Sequence, residues 1–272
     1  MKELTTVELR KEQLRILDAI AAFCKEKNLR CYLFAGTLIG AVRHQGYIPW
    51  DDDLDICMLR ADYDRFLREF PDNGDFWIAC ADNTPGYYLA AAKVVSKRTV
   101  LMEQVANPIP LGVNVDVFPI DALPDSDKEL HRLNQKISKY RNLLLLKNTL
   151  RSADRSKAKN AVLAVSQLLS RPLSTAVLLR KIDKLARSYS GMPGCSRVGD
   201  ISVFTYGMRE VFSAAVFSDT VSLPYEGKEY PAPSGYHDLL SRMYGDYMKL
   251  PPAEKQITHH AFTAYWKEER TE

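Results

Sequence analysis

Trp50-Asp51-Asp52-Asp53-Leu54-Asp55-Ile56-Cys57-Met58 sets a dense group of acids directly against an apolar segment, and few folds accommodate that junction. In an extended strand successive side chains alternate faces. Asp53 and Asp55 then share one face, about 7 Å apart along the backbone, and Leu54, Ile56 and Met58 share the other. Two carboxylates held side by side on a strand repel, and each raises the other's pKa unless a cation lies between them. Oxygen ligands with room for water and phosphate suit Mg²⁺ or Mn²⁺. A solvated acidic turn is the plain alternative, and the apolar face beginning at Leu54 weighs against it. An EF-hand loop also begins with alternating acids. It requires Gly at its sixth position and Glu at its twelfth, where this chain has Ile56 and Asp62.

A second alternating segment, Val113-Asn114-Val115-Asp116-Val117-Phe118-Pro119, places its valines on one face and Asn114 and Asp116 on the other. If it pairs beside the first strand, Asp116 completes a three-carboxylate site, with Asp121 the next candidate. Upstream, Ala35-Gly36-Thr37-Leu38-Ile39-Gly40 sets a glycine and a hydroxyl at a helix start, where backbone N–H groups and the helix dipole favour an anion. Helix, strand, Gly-Thr, helix and then an Asp-x-Asp strand is the order of a nucleotidyltransferase-like core.

The remaining pattern predicts an α/β (α+β) fold with a mixed sheet and flanking helices. Leu14, Leu17, Ile20 and Cys24 predict an amphipathic helix over about 7–28. A short strand follows at 31–35, and Thr37 is expected to cap a helix ending near His44. A helix is expected at 62–70 and strands near 76–80 and 90–95, with strands and turns over 198–230 and a last helix at 236–244 before an irregular tail. Gly245 is expected at the C′ position of that helix. The core is assigned to 1–125 and 195–272, with a helical insertion at 126–194 that breaks near Ser170-Arg171-Pro172.

Charge divides the chain in the same way. From Lys128 to Arg187 there are 15 Lys and Arg against three acids, a balance of +12, so the chain's net +3 leaves −9 for the rest. Three readings of the basic segment stay open: a solvated helical bundle, attraction to an anionic membrane surface near a lipid-linked acceptor, and nucleic-acid binding, which no motif supports. No segment approaches the ~20 apolar residues of a membrane span, and the charged N-terminus lacks a signal-peptide core. A cytoplasmic protein, peripheral at most at the inner membrane face, is the expectation. The five scattered cysteines form no CxxC and are expected to be reduced.

GTLIGAVRHQGYIPWDDDLDICM (36–58), KVVSKRT (93–99), VDVFPIDALP (115–124), PSGYHDLLSRMYGDYMKLPP (233–252) and ITHH (257–260) together resemble the LicD family. Its best-known members are phosphocholine transferases, and fukutin-type proteins are distant relatives. The resemblance implies that Asp53 and Asp55 form the metal pair and Asp116 the third acid. It implies a phosphate turn at Gly36 and Thr37, and a donor site lined by Arg43, His44 and Asp51. Lys93 and Arg98 are further candidates for phosphate contact, whereas His259 and His260 lack acidic or cysteine neighbours and are not expected to bind metal.

The implied reaction takes a CDP-activated alcohol as donor and a glycan precursor as acceptor, with phosphocholine transferred and CMP released. Transfer of an ethanolamine, glycerol or ribitol phosphate, nucleotide addition, Asp-x-Asp glycosyl transfer and a non-catalytic nucleotide-binding role remain alternatives. A choline ammonium requires aromatic faces, and Tyr47, Trp50, Tyr87, Tyr88, Tyr236 and Tyr244 are the aromatics near the motifs.

Overall fold

The structure is a computed structural model that describes residues 1–72, 74–152, 155–192, 194–258 and 262–267. His259 and His260 lie outside the described residues. In chain order the first half contains β1 (Lys2–Glu3), α1 (Thr6–Glu26), β2 (Tyr32–Leu33), α2 (Ala35–His44), β3 (Asp55–Leu59), α3 (Arg60–Glu69), β4 (Phe76–Ala79), β5 (Ala92–Ser96), β6 (Thr99–Glu103) and β7 (Asn114–Leu123). Three helices follow, α4 (Asp127–Asn148), α5 (Lys157–Ser170) and α6 (Thr175–Ala186). The chain continues with β8 (Arg197–Gly199), β9 (Val211–Ser213), β10 (Thr220–Tyr225), β11 (Lys228–Pro233), α7 (Tyr236–Tyr244) and β12 (Phe262–Trp266).

The central sheet runs β2-β3-β7-β5-β4, with β8 and β9 added along the far end of β7. Only the β3–β7 pair within it is parallel. Val113, Val115 and Val117 turn to one face and are fully buried, so by alternation Asn114 and Asp116 emerge on the other. The sequence did not predict β6 or β12; they pair with each other, and β12 also pairs with β1, which ties the two ends of the described chain together. Neither strand carries a local signal strong enough to announce a partner about 160 residues away.

Helix α1 begins with a reciprocal cap: the Glu8 N–H donates to Thr5 Oγ1, and the Thr5 N–H donates to the Glu8 carboxylate. Ile16, Leu17, Ile20 and Cys24 form its buried stripe. Its end falls at Glu26, and Asn28 supplies the left-handed turn at φ +52°. The predicted C′ glycine is present, since the Gly245 N–H donates to Ser241 O and its φ is +73°. Cys24, Cys31 and Cys57 are buried, Cys80 and Cys195 half-buried, and all five are free thiols.

The basic helical segment is built into the body of the protein. Leu130, Leu133 and Ile137 of α4 and Leu178, Leu179 and Ile182 of α6 share a core with Val95, Leu123, Ile201 and Phe204. These two helices thus cover the second face of the sheet. Helix α5 buries only Leu163 and Ser170.

An ionic cluster with a buried Arg60–Asp121 pair at its centre joins α3, β7 and α6. Arg60 Nε and Nη2 donate to the two oxygens of Asp121 at 2.6 and 2.7 Å, and Arg60 Nη1 reaches Asp183 at 3.1 Å. Arg187 bridges Asp183 and Asp64. Asp121 is 0% exposed and lies five positions beyond Asp116, toward the far end of the strand. Its assignment to the substrate site is therefore corrected: its carboxylate is taken up by Arg60. Truncating one member of a buried pair strands the other charge, at a cost of about 3–5 kcal/mol. Urea denaturation of Asp121→Ala is expected to show a loss of that size, and Arg60→Ala/Asp121→Ala should lose less than the sum of the single variants.

Candidate functional site

The site forms where β3 and β7 start side by side. Their parallel register sets Asp55 opposite Asp116, on strands about 4.8 Å apart. Antiparallel β5 brings Lys93 opposite Asp116 from the other side. Lys93 is 8% exposed, and its Nζ donates to Asn114 Oδ1 at 3.0 Å and to Asp116 Oδ1. Burial alone would lower the Lys93 pKa, but Asp116, with Glu103 and Asp55 further off, raises it. The expectation that Asp55 and Asp116 meet on adjacent strands agrees with this register.

The strand begins later than expected. Asp53 belongs to the preceding loop, and β3 starts at Asp55, so the two acids are not strand neighbours on a common face. They remain close in effect. Burial pushes the Asp55 carboxyl well above its ordinary value, and Asp53, Asp116 and Asp51 push it further, with Lys93 opposing them. Within the loop, oxygens of Asp51, Asp52 and Asp53 lie within 4.8 Å of one another. Three carboxylates therefore act on Asp55, and such crowding is relieved by a bound cation or a retained proton.

Helix α2 shapes the floor of the site in an unexpected way. It starts at Ala35, held at φ +44°, with Phe34 as N-cap and no side-chain cap. Thr37 is therefore not the capping residue. It is buried in the first turn, where its Oγ1 accepts the Asp55 N–H at 2.8 Å. A Cβ on Gly36 would stand 2.7 Å from Asp51 Oδ2, so Gly36 leaves room for that carboxylate beside the helix N-terminus. The pair predicted as a phosphate turn instead seats two aspartates, with the dipole favouring Asp51 there.

Arg43 and His44 lie at the other end of α2, about 10 Å further along its axis. Arg43 Nη1 donates to Tyr247 O at 2.6 Å and its Nε to His44 Nε2 at 2.9 Å. Arg43 thereby holds the segment after α7. His44 packs edge-on against Trp50 at 6.4 Å, and burial followed by Arg43 lowers its pKa. The Arg98 guanidinium stands over the Trp266 ring at 5.3 Å, on the sheet that joins the chain ends.

Other residues that position the acids were not predicted. Arg10 Nη2 donates to Ile48 O, Pro49 O and Asp51 O at 3.3, 3.0 and 2.8 Å, and Gln13 Nε2 donates to Asp52 O at 2.7 Å. Helix α1 thereby clamps the backbone of the acidic loop. Among the predicted aromatics, Tyr47 is buried with its hydroxyl on Gln13 and Arg10 O, and Tyr87 is buried with its hydroxyl on Ala91 O. Tyr88 remains half-buried, donating to Glu103 Oε2 at 3.0 Å. Tyr244 meets a partner that was not predicted, Tyr206, edge-on at 5.0 Å. Burial chiefly raises the pKa of both phenols, with the charges of Glu210 and Asp55 adding smaller contributions.

Fold and site define an α/β protein of the nucleotidyltransferase-like class with a crowded carboxylate centre. Residues 28–139 match the family described as LicD/FKTN/FKRP, nucleotidyltransferase domain. The lipopolysaccharide cholinephosphotransferase LicD of Haemophilus influenzae is 30% identical over 277 residues, covering 97% of this chain and 99% of that protein. Shorter matches reach an uncharacterized protein of Rickettsia typhi, 48% identical over 46 residues (17% of this chain, 15% of that protein). Another, from Rickettsia prowazekii, is 54% identical over 37 residues, 14% of each chain. The chain belongs to the LicD family.

Tyr206 owes its position to a buried acid. Its N–H donates to Glu210 Oε2 at 3.0 Å, and burial lifts the Glu210 carboxyl from 4.5 to about 7. A carboxyl raised in this way stabilises the fold while protonated. The contribution is whole below about pH 4.5 and is lost as pH rises through about 7. Glu210→Gln, neutral at every pH, is expected to match the wild-type melting temperature at pH 5 and exceed it at pH 8. An equal difference at both pH values would contradict this assignment.

Proposed function

We propose that this protein transfers phosphocholine from CDP-choline to a sugar hydroxyl of a cell-surface glycan precursor, releasing CMP. The observation that carries the reading is the full-length match to the lipopolysaccharide cholinephosphotransferase of Haemophilus influenzae. The crowded acids support it, because moving a phosphorylated alcohol off a diphosphate demands charge neutralisation at the phosphates.

We assign the cofactor as Mg²⁺ or Mn²⁺, held by Asp53, Asp55 and Asp116, with Asp51 in reach. The chemistry of the residues suits such an ion: the donors are all oxygen, Asp55 is buried among acids that push its carboxyl up, and oxygens of Asp53, Asp51 and Asp52 already lie within 4.8 Å of one another. When bound, the ion supplies neutralisation of the donor diphosphate and polarisation of its phosphoryl oxygens. The chain supplies the rest. Lys93 holds Asp116 in place and offers positive charge next to the reacting phosphate. An acceptor hydroxyl forms a bond to the phosphorus bearing choline, the bond from that phosphorus to the CMP oxygen breaks, and CMP leaves with the electron pair. Asp116 receives the hydroxyl proton. Tyr206 and Tyr244 present aromatic faces suited to a quaternary ammonium.

CMP release from a panel of CDP-alcohols, with Mg²⁺ and a lipid-linked glycan fraction, tests the reading. Acceptor-dependent release from CDP-choline is expected. Release from a CDP-linked ethanolamine, glycerol or ribitol instead would keep the chemistry and change the head group, and silence with a verified acceptor would overturn the proposal. Asp53→Asn and Asp55→Asn should each lower turnover by on the order of 10²-fold or more. Gly36→Ala, which pushes Asp51 from its seat, should lower turnover at least about tenfold, a barrier increase of about 1.4 kcal/mol.

A further inference from the structure

Helix α5 presents an outer surface unlike that of an ordinary surface helix. Of its eight exposed positions only Lys157 and Lys159 are polar, and the others are Ala158, Ala161, Val162, Val165, Leu168 and Leu169. Leu169 is 74% exposed and Val162 66%. At about 100° per residue these apolar positions fall within a stripe about 120° wide, the width of a buried helix face. The opposite side is the tethered one: Leu163 and Ser170 are buried, and Gln167 Nε2 donates to Leu146 O and Thr149 O of the neighbouring α4 and its end. Leu145 of α4 and Leu173 of the following turn are also exposed.

The charge around this stripe is of one sign. No Asp or Glu occurs between Arg155 and Ile182, and Arg151, Arg155, Lys157, Lys159 and Arg171 stand at the two ends of α5. The first turn of α5 holds lysines and no acid, so charge and helix dipole there both call for an anionic neighbour. A second copy of this chain would bring the same positive surface and be repelled. A bilayer with anionic headgroups satisfies both features at once, accepting the apolar stripe into its interface and the basic ends at its surface. Fourteen residues span about 21 Å of helix, short of a hydrocarbon core of about 30 Å. The chain also turns by 82° into the next helical segment. Such a helix lies in the interface and does not cross it.

We propose that α5 is a membrane-docking surface, seating the protein on an anionic lipid bilayer through Val162, Val165, Leu168 and Leu169 with Arg and Lys at its ends. This surface is independent of the acidic site and of the assigned reaction, so its test reads binding alone. Full-length protein is floated with vesicles of phosphatidylcholine, and of phosphatidylcholine with 30 mol% phosphatidylglycerol, at low and high salt. Flotation with the anionic vesicles at low salt is expected, falling at least about tenfold for Val165→Asp/Leu169→Glu and also for Lys157→Glu/Lys159→Glu. The exposed positions allow the variants to keep wild-type circular dichroism and melting temperature, and a soluble-donor turnover unchanged from wild type provides a second check of folding. Absence of the wild type from the floated fraction at low salt would overturn the proposal. So would equal flotation of wild type and Val165→Asp/Leu169→Glu, or a concentration-dependent dimer in analytical ultracentrifugation that this variant abolishes.

Discussion

The parallel pairing of β3 with β7 brings the buried Asp55 face to face with Asp116 and makes the rest of the site necessary. Like charges so close, away from water, cannot both ionise without compensation. Lys93, delivered by the antiparallel neighbour β5, supplies part of it from a position where burial would normally strip a lysine of its proton. Two parallel strands and one antiparallel neighbour therefore converge two acids and one base at a single level of the sheet. The flanking helices then complete the packing on the side where the valines of β7 face a core.

Around that junction the protein spends backbone hydrogen bonds on holding carboxylates still. Thr37 fixes the amide of Asp55, Gly36 makes space for Asp51, and Arg10 and Gln13 grip the carbonyls of the acidic loop. Positioning of this kind matters because a site that stabilises charge is effective only if its groups do not reorganise as charge develops. The Arg60–Asp121–Asp183 cluster serves a different end. It locks α3 and α6 to the far end of β7, and leaves the near end of the strand for chemistry.

Much of this was legible in the sequence for reasons of local periodicity. The alternation in Val113–Phe118 located β7 and the side on which Asp116 emerges, and the apolar run after Asp53 located β3. The start of β3 was misplaced because it depends on a hydroxyl, that of Thr37, eighteen residues upstream. Asp121 looked like a site residue because its partner Arg60 is 61 positions away. Arg10 and Gln13 fall on the same helix stripe as Leu14, Leu17 and Ile20, and no local pattern pairs them with carbonyls 38 to 41 positions downstream. Tyr206 sits in a segment of turns between β8 and β9 with no repeating pattern to flag it. Contacts made over long sequence distances by single side chains are the part that periodicity cannot reach.

The chain thus separates two jobs by charge: an acidic centre built on the sheet, and a basic helical layer whose inner helices complete the core and whose α5 turns apolar residues outward. The proposed chemistry depends on the first of these holding a divalent cation. Mn²⁺ titration followed by electron paramagnetic resonance measures that directly on the wild type and on Asp55→Asn, with circular dichroism to verify the fold of each. Saturable loss of the free Mn²⁺ signal in the wild type, abolished in Asp55→Asn, is the predicted result. A folded wild-type protein that leaves the free Mn²⁺ signal intact, or a variant that binds as well as the wild type, would contradict a cation site at the β3–β7 junction.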